Sequence, residues 1–281
     1  FKELSHLYNA FAAHTESTLP PLPIQYADFA LWQRNWLQGE VLDKQLAYWK
    51  DKLKGYEILN LTPDYPRPTQ IDYKGRDTYF ELDAAISLSL RELAKELGVS
   101  LHSLLLAGYY LMLRSYSNQD DIVVGIPIAN RHYSQIENLI GLFINSLALR
   151  TKINPASLVK EFIQTIGKEV IEAQLYQDLP FEKLVEELKV AKDTSRHPIF
   201  QIMFSVQSFG IEMFSEEVNE AGKGVNTLLQ SYKTEASLYN IAKFDISTLI
   251  DDSQTCLRGS FNYATSLYEE TTIKRFIETY T

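Results

Sequence analysis

Apolar residues recur at helical spacing from the start of the chain: Leu4, Leu7, Tyr8 and Phe11 fall on one side of a helix over residues 1–13. The same period predicts helices over 28–37, with Phe29, Trp32 and Trp36 aligned, and over 42–53, with a stripe of Leu42, Leu46, Trp49 and Leu53. Gly39 is expected to close the first of these. Residues 61–70 (LTPDYPRPTQ) then carry three prolines. Proline lacks a backbone donor and pushes the preceding residue out of the helical region, so this stretch reads as an extended linker and the main boundary.

Beyond it the period switches between two and 3.6. A strand is expected over 76–82 and a helix over 86–97, stopped by Gly98. Ser100 is a good N-cap for the apolar helix 101–116. Residues 121–129 form a near-continuous apolar run, the pattern of a strand covered on both faces. Pro127 cannot donate to a ladder, so the strand should end, bulge or lie at an edge there. A strand follows over 143–151. Asn154 is read as the cap of a helix with Pro155 at its first position and a core stripe of Leu158, Phe162, Ile166 and Val170. Residues 181–188 read as a short helix, with Asp178 and Glu182 placing negative charge at its N-terminus. Strands are expected over 199–206, 228–234, 244–250 and 255–263, an irregular acidic loop over 210–226, and a closing helix over 271–280. This alternation indicates an α/β fold, a mixed sheet with flanking helices.

Composition changes the picture little. The 281 residues suffice for one large domain or two modest ones, and 45% hydrophobic with 22% charged residues is an ordinary globular balance. A net charge of −9 argues against a nucleic-acid binder. The single cysteine, Cys256, excludes an internal disulfide and suits a reducing cytoplasm; it reads as a small, partly buried thiol in a strand pattern. The longest apolar stretch, 101–113, is too short to span a bilayer. No signal peptide is visible, and Phe1 lies within a helix already under way, so a fragment of a longer chain is expected.

Candidate chemistry is sparse. The chain has no G-x-S-x-G, P-loop, H-E-x-x-H or C-x-x-C, and the glycines at 222 and 224 fit a flexible loop better than a dinucleotide loop. His6, His14, His102, His132 and His197 are scattered, none at metal or catalytic spacing from another. The acidic pairs 120–121, 186–187 and 251–252 read as solvated helix or turn positions. Three places are less bland. Asn145 lies in an apolar strand on the face of Phe143 and Leu147, as a satisfied structural amide or as a channel-lining one. The strand from 199 has an apolar face (Phe200, Ile202, Phe204, Val206) and a mixed one (Ile199, Gln201, Met203, Ser205, Gln207), which either lines a wet tunnel or meets solvent. Arg196, at the mouth of that strand, suits an anion or a structural ion pair.

Four ordered segments carry a resemblance: YADFALWQ (26–33), IGLFINSLALR (140–150), YQDLPFE (176–182) and KDTSRHPIFQIMF (192–204), followed by KFDI (243–246) and FNYATSL (261–267). In order and spacing they resemble the later motifs of nonribosomal peptide synthetase condensation domains, nearly end to end. Ile144 and Ser146 are conservative departures. Tyr176 stands where His or Asn is usual, Lys192 where Arg is, and His197 where Asn is, which leaves open whether the donor is L- or D-configured.

The resemblance implies a chloramphenicol acetyltransferase-like fold of two lobes forming a V. Residues 1–70 would be the tail of the first lobe plus linker, and 71–281 the second lobe. It implies a tunnel in which an amine on one carrier attacks a thioester on another. The phosphopantetheine arms are substrates there, and no cofactor is bound directly. Implied partners are the upstream and downstream peptidyl carrier domains and an adjacent adenylation domain, in the cytoplasm. The catalytic HHxxxDG motif is expected upstream of Phe1, so no catalytic or metal residue is assigned in this chain. Asn145, Gln201, Ser205 and Gln207 become candidate tunnel-lining residues, and Asp28, Trp32, Gly141, Asp178, Pro180 and Arg196 framework residues. The rivals on the same fold are an epimerization domain, a non-catalytic carrier-docking module and a coenzyme A-dependent acyltransferase.

Overall fold

A computed structural model describes residues 2–207 and 241–281. The readings over 210–226, 222–224 and 228–234 lie outside them. The elements run α1 (Lys2–Ala12), α2 (Tyr26–Trp36), α3 (Gly39–Lys52), β1 (Gly75–Glu81), α4 (Ala84–Leu97), α5 (Leu101–Ser117), β2 (Asp121–Ile128), β3 (Asn145–Lys152), α6 (Val159–Gln174), α7 (Phe181–Glu187), β4 (Ile202–Gln207), β5 (Ile246–Asp251), β6 (Arg258–Ala264) and α8 (Glu270–Tyr280).

The strands form one sheet in the order β1-β6-β5-β4-β2-β3. β2, β4 and β5 run parallel to one another, while β1, β6 and β3 pair antiparallel with their neighbours. Helices α4, α5, α6 and α8 pack together and against the sheet. Helix α5 is apolar nearly all round and is buried accordingly, with Leu106, Ala107, Tyr109, Tyr110 and Leu113 fully enclosed. Each such large side chain contributes about 1.5–3 kcal/mol of burial. Its tyrosines do not strand their hydroxyls: Tyr110 donates to Leu149 O at 2.8 Å, and Tyr109 accepts from Thr248 Oγ1 at 3.0 Å. Ser100 Oγ caps α5 at Ser103 N, and Gly98, at φ 68°, ends α4 in the left-handed region.

Two arginines, Arg150 buried and Arg67 partly buried, tie the N-terminal third to this core. Arg150, which closes the IGLFINSLALR segment, spends all five N–H donors: on both carboxylate oxygens of Asp121 and on the carbonyls of Lys52, Lys54 and Gly55. It thereby holds the end of α3 against the sheet, with Trp49 and Leu53 buried. Arg67, in the proline-rich stretch, makes a bidentate pair with Asp245 and donates to Ser195 O.

Several sequence expectations need correction. Gly39, at φ 52°, opens α3 rather than closing α2. Asn154 forms a local turn, its Oδ1 accepting from Ala156 N at 3.0 Å, and α6 starts only at Val159; Leu158 is consequently exposed and outside the core stripe. Asp121 is no solvated turn residue: it opens β2 and neutralises Arg150. Cys256 precedes β6 and is half-buried. Strand β2 does end one residue after Pro127. The stripe of α1 has helical spacing, but Leu4, Leu7, Tyr8 and Phe11 are exposed.

Candidate functional site

Asn145 opens β3 and every hydrogen-bonding group of its side chain is used. Nδ2 donates to Gln177 O (2.9 Å) and Leu179 O (2.8 Å); Oδ1 accepts from Ser146 N (2.9 Å) and Phe181 N (3.1 Å). The amide thus grips the YQDLPFE segment just where Pro180 caps α7. Phe143 does not share its strand. It leaves the sheet and joins Phe29, Ile136 and Leu139 in a second, smaller core.

That small core joins the YADFALWQ helix to the IGLFINS segment. The Tyr26 ring lies over Gly141, where a Cβ would come within 2.2 Å of it, and Tyr26 donates to Leu142 O at 2.8 Å. Gly141 is therefore fixed by lack of room. Asp28 Oδ2 accepts from Gln25 N at 2.8 Å, capping α2. Trp32 stacks on Trp36 and meets Tyr133 edge-on. Arg131 locks the connecting segment, donating to the carbonyls of Ile136, Glu137 and Leu139, with its guanidinium 4.1 Å above the Phe143 ring. In sequence Tyr26 is marked only as the first residue of YADFALWQ, and Arg131 carries no signal because its hydrogen-bond partners are backbone carbonyls.

Asp178 is held from two sides: His132 Nε2 lies 3.4 Å from Oδ1, and Gln45 Nε2 donates to Oδ2 at 3.4 Å. Burial pushes the carboxyl above its usual range, partly opposed by His132 and Gln45. His132, dismissed in sequence as scattered, is brought here by the fold. The unusual Tyr176 stacks flat on Tyr48 of α3, with centroids 4.0 Å apart, and its carbonyl accepts Trp49 Nε1 at 2.8 Å. An aromatic partner on α3 thus accounts for Tyr176.

The DTSRHPIFQIMF segment enters β4 later than its alternation suggests. Phe200 N donates to Pro198 O at 2.8 Å across Ile199, whose φ is 68°. This is a tight three-residue turn, strained for a β-branched residue. It starts β4 at Ile202, so Phe200 leaves the alternating face and its ring fills the space over Gly125. His197 sits among Phe181, Phe200 and Phe244, and burial holds its pKa below the usual value. Gln201 is buried and donates to His197 O at 3.0 Å; Ser205 is buried and accepts from Gln207 Nε2 at 3.1 Å; Gln207 is exposed. The mixed face is therefore not wholly solvent-facing. Arg196 Nε lies 2.9 Å from Asp193 Oδ2, off the line of a hydrogen bond, as an ion pair.

Asn145, Asp178, Pro180 and His197 thus come together with Phe181; Trp32 packs on Phe29 and Gly141 on Tyr26, the two α2 rings that contact Phe143, while Asp28 caps the same helix and Gln201 hangs from His197. Arg196, Ser205 and Gln207 belong to the two ends of the 193–207 stretch. Among the described residues no group of His, Cys, Asp and Glu is arranged to hold a metal ion. The arrangement shapes and stiffens a surface, through amides and aromatic contacts. Among the described residues no single helix is long and apolar enough to cross a membrane.

The family model for the condensation domain matches residues 1–281. The chain is 39% identical over 265 residues to N-(5-amino-5-carboxypentanoyl)-L-cysteinyl-D-valine synthase of Amycolatopsis lactamdurans, covering 94% of this chain and 7% of that protein. It is 39% identical over 275 residues to gramicidin S synthase 2 of Aneurinibacillus migulanus, covering 98% of this chain and 6% of that protein. The chain therefore spans only a small part of the curated relatives it matches. In fold it is similar to the X-domain from teicoplanin biosynthesis, with a TM-score of 0.83 at 24% identity, covering 99% of this chain and 63% of that one. With a whole-length family match and the four motifs knitted into one surface, the chain belongs to the condensation-domain family.

Proposed function

We propose that this chain forms the second-lobe wall, residues 71–281, and the tail of the first lobe, residues 1–70, of an amide-forming condensation domain in a nonribosomal peptide synthetase. The observation that supports this most is Asn145's four-bond grip on the YQDLPFE segment. It makes one rigid surface from motifs that run in the family's order across the whole matched chain. On this reading the acceptor amine attacks the donor thioester carbonyl. A C–N bond forms, the C–S bond breaks, and the amine proton ends on the released pantetheine thiol. The 281 residues hold no HHxxxDG sequence, and on this reading that motif, supplied by the rest of the synthetase, positions the amine. This chain supplies shape: Asn145, Gln201, Ser205 and Gln207 border the tunnel, and Asp28, Trp32, Gly141, Asp178, Pro180 and Arg196 hold its frame. The phosphopantetheine arms enter as substrates, carried by the flanking carrier domains beside an adenylation domain, in the cytoplasm.

The test loads both carriers of the full-length synthetase and follows the downstream one by mass. An amide-linked product there is expected. Inversion at the upstream Cα without bond formation would assign the chain to epimerization, and carrier binding without either reaction would make it a docking module.

A further inference from the structure

His132 sits where two pieces of the surface meet. Its ring packs at a tilt against Tyr133, with centroids 4.2 Å apart, and Tyr133 meets Trp32 of α2 edge-on at 5.1 Å. On its other side, Nε2 lies 3.4 Å from Asp178 Oδ1. Asp178 is flanked in sequence by Gln177 and Leu179, the two residues whose carbonyls Asn145 holds. Gln45 of α3 takes the second carboxylate oxygen. The side chains of both His132 and Asp178 are largely covered, at 33% and 18% exposure, so water competes weakly for the pair. A continuous line of contacts therefore runs from α2 through Tyr133, His132 and Asp178 to the segment gripped by Asn145.

We infer that His132 is a positioning residue: through Asp178 it sets the place of the 177–181 segment relative to α2, and so the shape of the wall against which the two carrier-bound substrates meet. This rests on the amide-forming reading above. His132 touches no reacting atom.

The test uses the full-length synthetase with both carriers loaded and compares His132→Ala with His132→Gln. The glutamine amide reaches the same carboxylate as a donor. His132→Ala is expected to lower kcat about tenfold, with the donor-carrier KM unchanged within about twofold. His132→Gln is expected to restore kcat to within about threefold of wild type. In an Asp178→Asn background, His132→Ala should add nothing, because the two act as one unit. Hydrogen exchange at the Phe181 amide should quicken in the alanine variant and recover in the glutamine one. Wild-type turnover and unchanged Phe181 protection in His132→Ala would overturn the inference, as would a loss that glutamine fails to rescue. If the wild-type synthetase forms no amide product, the functional reading fails, and Phe181 protection alone decides whether His132 positions the segment.

Discussion

The side chain of Asn145 accepts the backbone N–H of Phe181 at 3.1 Å, fastening the first residue of β3 to the first residue of α7 across 36 positions of sequence. The same amide gives both of its protons to carbonyls of the intervening segment. Removing the amide takes this partner from two carbonyls, of Gln177 and Leu179, and from two N–H groups, of Ser146 and Phe181, at about 1–3 kcal/mol for each buried group left unmade. Asn145→Ala is expected to lower stability by about 2–4 kcal/mol while keeping one cooperative thermal transition, and to slow condensation in the full-length protein. Asn145→Asp should be worse than alanine, since it turns an acceptor towards two carbonyls. Thermal unfolding of the three proteins checks the order.

Arg150 is the second fastening. Its guanidinium is almost fully buried and pairs bidentately with Asp121 while holding three carbonyls at the end of α3. Lysine is charged but cannot make that fork. Arg150→Lys is expected to cost about 2 kcal/mol or more, and Arg150→Ala about 3–5, because Asp121 is then left as a half-buried unpaired charge. Chemical denaturation with an unchanged m-value checks this.

Gly141 is a packing constraint. A Cβ there would collide with the Tyr26 ring. Gly141→Ala is expected to destabilise by about 1–3 kcal/mol, the usual cost of overpacking. The double variant Gly141→Ala, Tyr26→Ala should recover part of the loss. A double-mutant cycle on thermal stability measures the coupling.

His102, on α5 beside the Phe204 ring, gives a pH dependence. Burial pushes its pKa down to about 4. The unfolded chain takes up the proton near the ordinary histidine value, about 6.5, and the folded chain only near 4. Stability is therefore unaffected by this group above pH 6.5 and falls as pH drops through the window to 4, by about 3 kcal/mol in total. His102→Leu should remove that part of the slope. Unfolding free energies at pH 7.5 and 5 in both proteins check it.

Much of the fold was legible because it rests on local rules. Ser100, Gly98 and the apolar run of α5 act within a turn or two of themselves, and the structure bears them out. Where the reading failed, a non-local contact or a local turn won: the turn at Ile199 delayed β4, and Asn154 spent its side chain on a turn rather than a cap. The site was legible only in part. Asn145 stood out as a polar residue in an apolar run. The pairing of His132 with Asp178, 46 residues away, leaves no periodic trace, because it depends on how two loops fold over α3. Arg131 is equally silent in sequence, since its partners are backbone carbonyls.

The central proposal is that this chain supplies the supporting wall of a condensation domain, with the amine positioned by a histidine motif that these 281 residues do not hold. The most direct measurement incubates two loaded carrier proteins with this chain alone and, in parallel, with the full-length synthetase, and assays the downstream carrier for dipeptidyl product. The account predicts product from the synthetase and none from the chain. Dipeptidyl product from the chain alone would contradict it.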